Sequence, residues 1–85
     1  MNPIHIITIS DGNIDDLTLT LKSINNQNYQ NFKNIIISKT KIIGLNKKLI
    51  TKKRFFYHKK NSSIYEAMNY GIKKSKNNYV FFLNA

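Results

Sequence analysis

The sequence predicts an α/β domain: a parallel sheet of about four strands with helices on both faces. Three observations carry this. Four short runs, at 4–9, 32–38, 54–58 and 79–83, centre on β-branched or aromatic residues with little polar interruption, as strands buried on both faces do. The segments between them repeat apolar residues at helical spacing. Strand and helix patterns alternate along the chain, the order expected of parallel strands joined by right-handed crossovers.

The elements follow in order. Ile4 to Ile9 (I-H-I-I-T-I) is the first strand, and Asp11-Gly12-Asn13 its turn. Asn13 suits a helix N-cap, and Asp15 and Asp16 fall in the first turn, where the helix dipole favours acids. Ile14, Leu17, Leu21 and Ile24 make one stripe, and Asn25-Asn26-Gln27-Asn28 ends the helix. Phe32 to Ser38, with Ile35-Ile36-Ile37 at its centre, is the second strand. Residues 41–52 read as a helix on the spacing of Ile42, Leu45, Leu49 and Ile50, weakened by Gly44. Arg54 to His58 is the third strand. Ser63 and Glu66 form a capping box, and Ile64, Ala67, Met68, Gly71 and Ile72 follow as the apolar stripe of a helix that Asn77-Asn78 breaks. Tyr79 to Leu83 is the fourth strand.

The 85 residues make one small domain, with no internal repeat or linker. Without cysteine there is neither a disulfide framework nor a thiolate metal site. No apolar run approaches the length of a membrane span, and the N-terminus lacks the pattern of a signal peptide, so a soluble, cytoplasmic chain is expected. The net charge of +10 is unevenly distributed. Residues 39–60 carry Lys39, Lys41, Lys47, Lys48, Lys52, Lys53, Arg54, Lys59 and Lys60 and no acid, whereas the flanking segments nearly balance. Ile, Asn and Lys, all with AT-rich codons, are in marked surplus, so a low-GC genome accounts for part of this charge without a polyanionic partner.

Ligands of open parallel sheets bind beyond the carboxyl ends of the strands. That directs attention to Ser10–Asn13, Ser38–Thr40, His58–Ser63 and Asn84–Ala85. Three other features read as structural. His5 and His58 have no nearby carboxylate to complete a metal site. Asp15 and Asp16 point about 100° apart on a helix and do not converge. Phe55-Phe56-Tyr57 among lysines resembles a stacking platform for single-stranded nucleic acid, but three successive strand residues cannot share one face.

Several segments resemble glycosyltransferase family 2. Ser63-Ile64-Tyr65-Glu66-Ala67-Met68-Asn69-Tyr70-Gly71-Ile72 is similar to the family's G-I-Y-D-A-M-N-K-G-I, and Tyr79-Val80-Phe81-Phe82-Leu83-Asn84-Ala85 to the strand that follows it. Ile6-Ile7-Thr8-Ile9-Ser10, Leu21-Lys22-Ser23-Ile24 with Gln27-Asn28-Tyr29, and Asn31-Phe32-Lys33-Asn34-Ile35-Ile36-Ile37 resemble its upstream pieces, in the right order and over nearly the whole chain. The closest likeness is to the branch that builds capsule, lipopolysaccharide or exopolysaccharide sugars.

The resemblance implies residues 1–85 as part of the nucleotide-sugar-binding, Rossmann-like half of a GT-A fold. It implies inverting transfer of a sugar from a nucleotide diphosphate sugar to a glycan acceptor, and in the full-length family a divalent metal, Mn or Mg, on a D-x-D motif. It also implies a cytoplasmic location, with the full-length family peripheral to the membrane's inner face. Carried over by position, the candidate nucleotide-binding residues are Thr8, Ser10, Asn13, Ser38, Asn61, Asn69 and Gly71. The family's aromatic ring against the base is here Asp11; its Asp after the second strand is Ser38; and a second Asp is Asn61. The metal-binding Asp and the catalytic base fall beyond Ala85, so no catalytic or metal residue and no cofactor is expected within this fragment, and it is read as inactive alone. Two alternatives stand beside that reading: a non-catalytic remnant, or a small basic nucleic-acid-binding module, against which the low-GC origin of the lysine surplus and the division of Phe55-Phe56-Tyr57 between strand faces argue. The apolar Tyr79–Leu83 strand is further expected to be an edge prone to self-association.

Overall fold

A computed structural model describes residues 3–60, 62–76 and 79–85. The chain runs β1 (Ile4–Ser10), α1 (Ile14–Asn25), β2 (Phe32–Ser38), a single 3-10 turn (Lys47–Leu49), β3 (Arg54–His58), α2 (Ile64–Ser75) and β4 (Val80–Phe82). The four strands form one all-parallel sheet in the order β3-β2-β1-β4. This is the Rossmann-like α/β architecture expected from the sequence. The first two connections step one way across the sheet and the third steps back past β1. Right-handed crossovers then put the first two on one face and α2 on the other.

The core confirms that division. On one face Ile6 and Ile36 meet Leu17, Leu21 and Ile24 of α1, together with Phe32 and Leu49. On the other, Ile7, Ile9, Ile35 and Ile37 meet Ala67 of α2. Alternate strand residues serve opposite layers, so β1 and β2 place isoleucines on both faces, and the buried polar residues among them, such as Thr8 and Asn34, are hydrogen-bonded. Asn13 caps α1 by accepting from the Asp16 N–H, and Ser63 and Glu66 close the capping box of α2 as the sequence indicates.

Three expectations change. Residues 41–52 are not a helix; only the turn Lys47–Leu49 forms, capped by Asn46. Gly44 adopts φ +86°, a left-handed conformation incompatible with a continuing helix, and Leu49 is drawn into the α1 layer beside Ile42 and Leu45. The stripe of α2 is narrower than its apolar pattern: Ala67, Gly71 and Ser75 are buried, but Ile64 and Ile72 are exposed. β4 is shorter than Tyr79–Leu83 as a strand, although bonds from the His5 N–H to the Tyr79 carbonyl and from the Leu83 N–H to the Ile7 carbonyl continue the pairing. The helix break placed at Asn77-Asn78 lies outside the described residues; α2 itself ends at Ser75, with Lys76 left-handed at φ 52°.

Gly71 sits where α2 comes closest to the sheet. A Cβ there would stand 2.6 Å from Ile7 Cγ2, a contact real structures do not show. At the far end of the same helix, His5 Nδ1 and Ser75 Oγ share a buried 2.6 Å hydrogen bond.

A polar network crosses the α1 layer. The Arg54 guanidinium is buried and donates to Asn34 Oδ1 (3.1 Å), the Leu49 carbonyl (3.1 Å) and the Leu21 carbonyl (2.8 Å). Asn34 Nδ2 in turn donates to the Ile6 carbonyl (2.9 Å) and Thr8 Oγ1 (3.1 Å). All three of the guanidinium's acceptors are neutral oxygens, one of them near the negative end of α1. Burial holds the guanidinium below its ordinary pKa, yet an arginine stays charged throughout the working range.

Candidate site at the carboxyl edge of the sheet

The last residues of β1, β2 and β3 fall in one row: Ser10 pairs with Ser38, and Ser38 with His58. β1 lies between β2 and β4, and the chain leaves β1 toward β2 but enters β4 from the opposite side. That makes the β1–β4 boundary the switch point, the place where ligands of doubly wound sheets bind.

The loops beyond this row are stitched together. After β1 the chain makes a tight turn in which Ser10 Oγ accepts from the Gly12 N–H and Asp11 Oδ1 from the Asn13 N–H, each at 3.0 Å. Gly12 adopts φ +100°, and a Cβ there would overlap Thr40 Oγ1, so only glycine fits. Thr40 Oγ1 donates to the Asp11 carbonyl at 2.9 Å, and the Lys39 N–H to the Ser10 carbonyl at 3.0 Å. The Ser38 hydroxyl donates to the Thr40 carbonyl, and the Lys59 N–H to the Ser38 carbonyl at 2.9 Å. Three strand ends are thus held by their own backbone and small hydroxyls.

Beside the β2 and β3 end of this row, and not at the β1–β4 switch point, lies a cavity of about 380 Å³, within the range of small-molecule sites. Ser38, Thr40, Tyr57 and His58 line it on the sheet side, and Ile42, Leu45, Ile50 and Phe56 give it apolar walls. Because the Ser38 proton is engaged by the Thr40 carbonyl, its oxygen has only lone pairs to offer. Lys39, Lys41, Lys59 and Lys60 surround the edge, and its acids are few. Glu66 is held below the ordinary carboxylate range, first by the Ser63 N–H and hydroxyl of the capping box and then by Lys59.

The structure places the six described candidate residues apart. Ser10, Asn13 and Ser38 come together at the carboxyl edge, with Asn13 capping α1. Thr8 is buried inside the sheet layer, its hydroxyl accepting from Asn34. Asn69 lies on the outer side of α2 beside Lys59, Glu66, Tyr70 and Lys73, and Gly71 lies beneath the helix against Ile7. Asn61 is outside the described residues. The cavity walls from 42 to 50 were not legible as site residues, because their spacing mimics a helix; Gly44 was the one signal against it. Nor did the sequence disclose the Arg54–Asn34–Thr8 network, whose members lie on three different strands.

A family model described as Glycosyl transferase family 2 matches residues 4–85. No curated protein and no solved structure matches the chain.

Proposed function

Because the chain belongs to glycosyltransferase family 2, we propose that its carboxyl edge holds the nucleoside and diphosphate of a nucleotide sugar, as part of inverting transfer to a glycan acceptor in polysaccharide synthesis on the cytoplasmic side. One observation carries this reading: the Ser10–Ser38–His58 row, the glycine turn at Gly12 and the cavity beside them all meet at one end of the sheet. The base would lie against the apolar wall of Ile42, Leu45 and Phe56, with a ring N–H on the acceptor-only Ser38 oxygen. The diphosphate would extend toward the Gly12 turn, with Lys39 and Lys59 as nearby cations.

The residues described do not fit the divalent metal of the family. Among them no group of three or more His, Asp or Glu side chains converges. The four acids have other work: Asp15, Asp16 and Glu66 sit in first helical turns, and the Asp11 carboxylate accepts from Asn13. We therefore read the described residues as binding and orienting a donor without turning it over. Calorimetric titration of the chain with uridine diphosphate, with and without manganese, tests this. The expected result is binding of equal affinity in both. No binding in either sinks the site; clear enhancement by manganese sinks the argument from the acids.

The β4 edge supports a second copy of this chain as partner. Phe81 is 60% exposed, Leu83 38% and Phe82 36%, and the segment 77–85 carries no charge that would repel an added strand. No helix among the described residues is long and apolar enough to cross a membrane.

A further inference from the structure

The two edges of the sheet are unlike. β4 closes one side with uncharged residues, and β3 closes the other between lysines. The Lys53 carbonyl accepts from the Asn34 N–H at 2.8 Å, and the Lys59 N–H donates to the Ser38 carbonyl at 2.9 Å. In a parallel pair each residue turns its N–H and carbonyl to the same side, so the odd-numbered residues of β3 bond β2. The N–H and carbonyl of Phe56 and of His58 therefore face outward, and no hydrogen bond among the described residues reaches them there. The Arg54 N–H, by contrast, is taken by the Thr51 carbonyl at 3.1 Å.

The two sides of this edge differ in chemistry. Phe55 and Tyr57 share the α2 side, where α2 covers β1 and β2 and leaves Phe55 39% exposed. Lysines from β2, α2 and the loop after β3 lie over the rings on this side. Lys33 Nζ is 5.9 Å from the Phe55 ring centroid, Lys74 Nζ 5.2 Å from that of Tyr57, and Lys59 Nζ 5.4 Å from that of Tyr70. On the α1 side Phe56 shares the cavity wall with Ile50, which is 55% exposed.

Charge on an edge strand keeps like-charged strands away. It acts so against a second copy of this chain, which would bring the same lysines. It does not act against a strand of opposite charge, and no acid occurs anywhere from 39 to 60. A strand added to an edge gains main-chain bonds and sends alternate side chains to opposite faces. We propose that β3 accepts an extended acidic segment of another protein as an added strand, bonded to the backbone of Phe56 and His58. Its acidic side chains lie toward Lys33, Lys59 and Lys74, and its apolar ones toward Phe56 and Ile50. The partner segment is thus one of alternating acidic and apolar residues, and its pairing needs no nucleotide in the cavity. Single-stranded nucleic acid fits less well, because it needs rings open to stacked bases. Tyr57 stands edge-on to Tyr70, ring centroids 6.1 Å apart, with Lys74 over both.

Fluorescence anisotropy of the whole chain with a labelled, capped peptide of alternating Glu and Val tests this. The comparison is a peptide of the same composition with its Glu and Val residues in separate blocks. The alternating peptide should bind about tenfold tighter, since it alone matches both faces of the edge, and its binding should weaken with salt. Lys59→Gln together with Lys74→Gln should weaken it roughly fivefold. His58→Pro, a change tolerated where the N–H faces away from the sheet, should weaken it about fivefold by removing one donor. Residue-resolved amide exchange gives a readout that needs no variant. The alternating peptide should slow exchange at the Phe56 and His58 N–H groups and leave Tyr57, already bonded to β2, unchanged. Equal affinity for the two peptides, or for an oligothymidylate, would reveal a nonspecific polyanion surface and overturn the proposal. Slowing at the Phe82 N–H in place of Phe56 would assign binding to the β4 edge and overturn it as well, as would unchanged exchange at both Phe56 and His58.

Discussion

Arg54 Nε donates to Asn34 Oδ1 at 3.1 Å in the interior, joining β3 to β2, and Asn34 passes the connection to Thr8 on β1. A charged group is thus carried in the α1 layer by neutral acceptors, and its other two bonds fasten α1 and the 41–52 loop to the sheet. Its removal strands several buried oxygens at once. Arg54→Ala is expected to cost about 3 kcal/mol, the sum expected for two or so buried acceptors left unpaired. Arg54→Lys should recover only part of it, since one ammonium cannot reproduce the planar fork. Urea denaturation measures both. A loss of less than about 1 kcal/mol for Arg54→Ala would mean that water replaces the guanidinium without penalty.

Gly71→Ala tests the close approach of α2. On an exposed helix the change would stabilise by nearly 1 kcal/mol. Here the new methyl meets Ile7 Cγ2 at 2.6 Å, in a core with no slack, and a net loss of about 1–3 kcal/mol is expected. Adding Ile7→Ala to Gly71→Ala should cost less than the sum of the two single changes, because the clash disappears. Strict additivity in the double-mutant cycle would argue against the contact.

Burial of His5 gives stability a pH dependence, which its bond to Ser75 partly offsets. Burial, and secondarily Lys33, hold the His5 imidazole below its ordinary pKa of 6.5, so the folded chain favours the neutral ring. The unfolded chain takes up the proton first as pH falls. Stability from this source is therefore complete above pH 6.5 and is lost as pH falls from there toward the folded-state value. The urea midpoint should decline between pH 7.5 and 5, and His5→Gln should flatten that decline. An unchanged slope in His5→Gln would place the titrating group elsewhere.

Ser38→Ala and Asn69→Ala separate the two places where candidate binding residues lie. Ser38→Ala removes the acceptor at the cavity and should weaken uridine diphosphate binding by about fivefold, equivalent to about 1 kcal/mol for one neutral hydrogen bond. Asn69→Ala, on the outer side of α2, should leave it unchanged. The reverse pattern in calorimetry would move the site to α2.

Phe81→Lys tests the β4 edge. The wild-type chain is expected to associate at tens of micromolar, and a lysine on an exposed edge strand is expected to leave it monomeric, because edge charges oppose added strands. Light scattering distinguishes the two, and a wild-type monomer at that concentration would remove the second copy as partner.

The strands and both helices were readable because their signals are local. Ile35-Ile36-Ile37 has no other comfortable place than a strand covered on both faces, and Ser63 with Glu66 marks the start of α2 with the bonds it forms. The site was readable only in outline. Ser10, Asn13 and Ser38 follow from where parallel strands end, whereas the role of Thr8 depends on Asn34, and that of Asn69 on which side of α2 meets the sheet.

By itself the sequence determined the α/β class, the order of the four strands and two helices, the bounds of β2 and β3 and the concentration of positive charge in 39–60. Each of these depends on neighbours in the chain: periodicity, caps, turns and composition. Only the tertiary structure decided that 41–52 is an anchored loop with Ile43 exposed and Ile50 at the cavity wall, that Gly71 is required by Ile7, and that Arg54 is the buried bolt of the α1 layer. Those outcomes depend on contacts between residues distant in sequence. An apolar residue at helical spacing will leave the helix when a neighbouring layer offers it better burial, and a lysine-rich segment hides its one structural cation until the strands are paired.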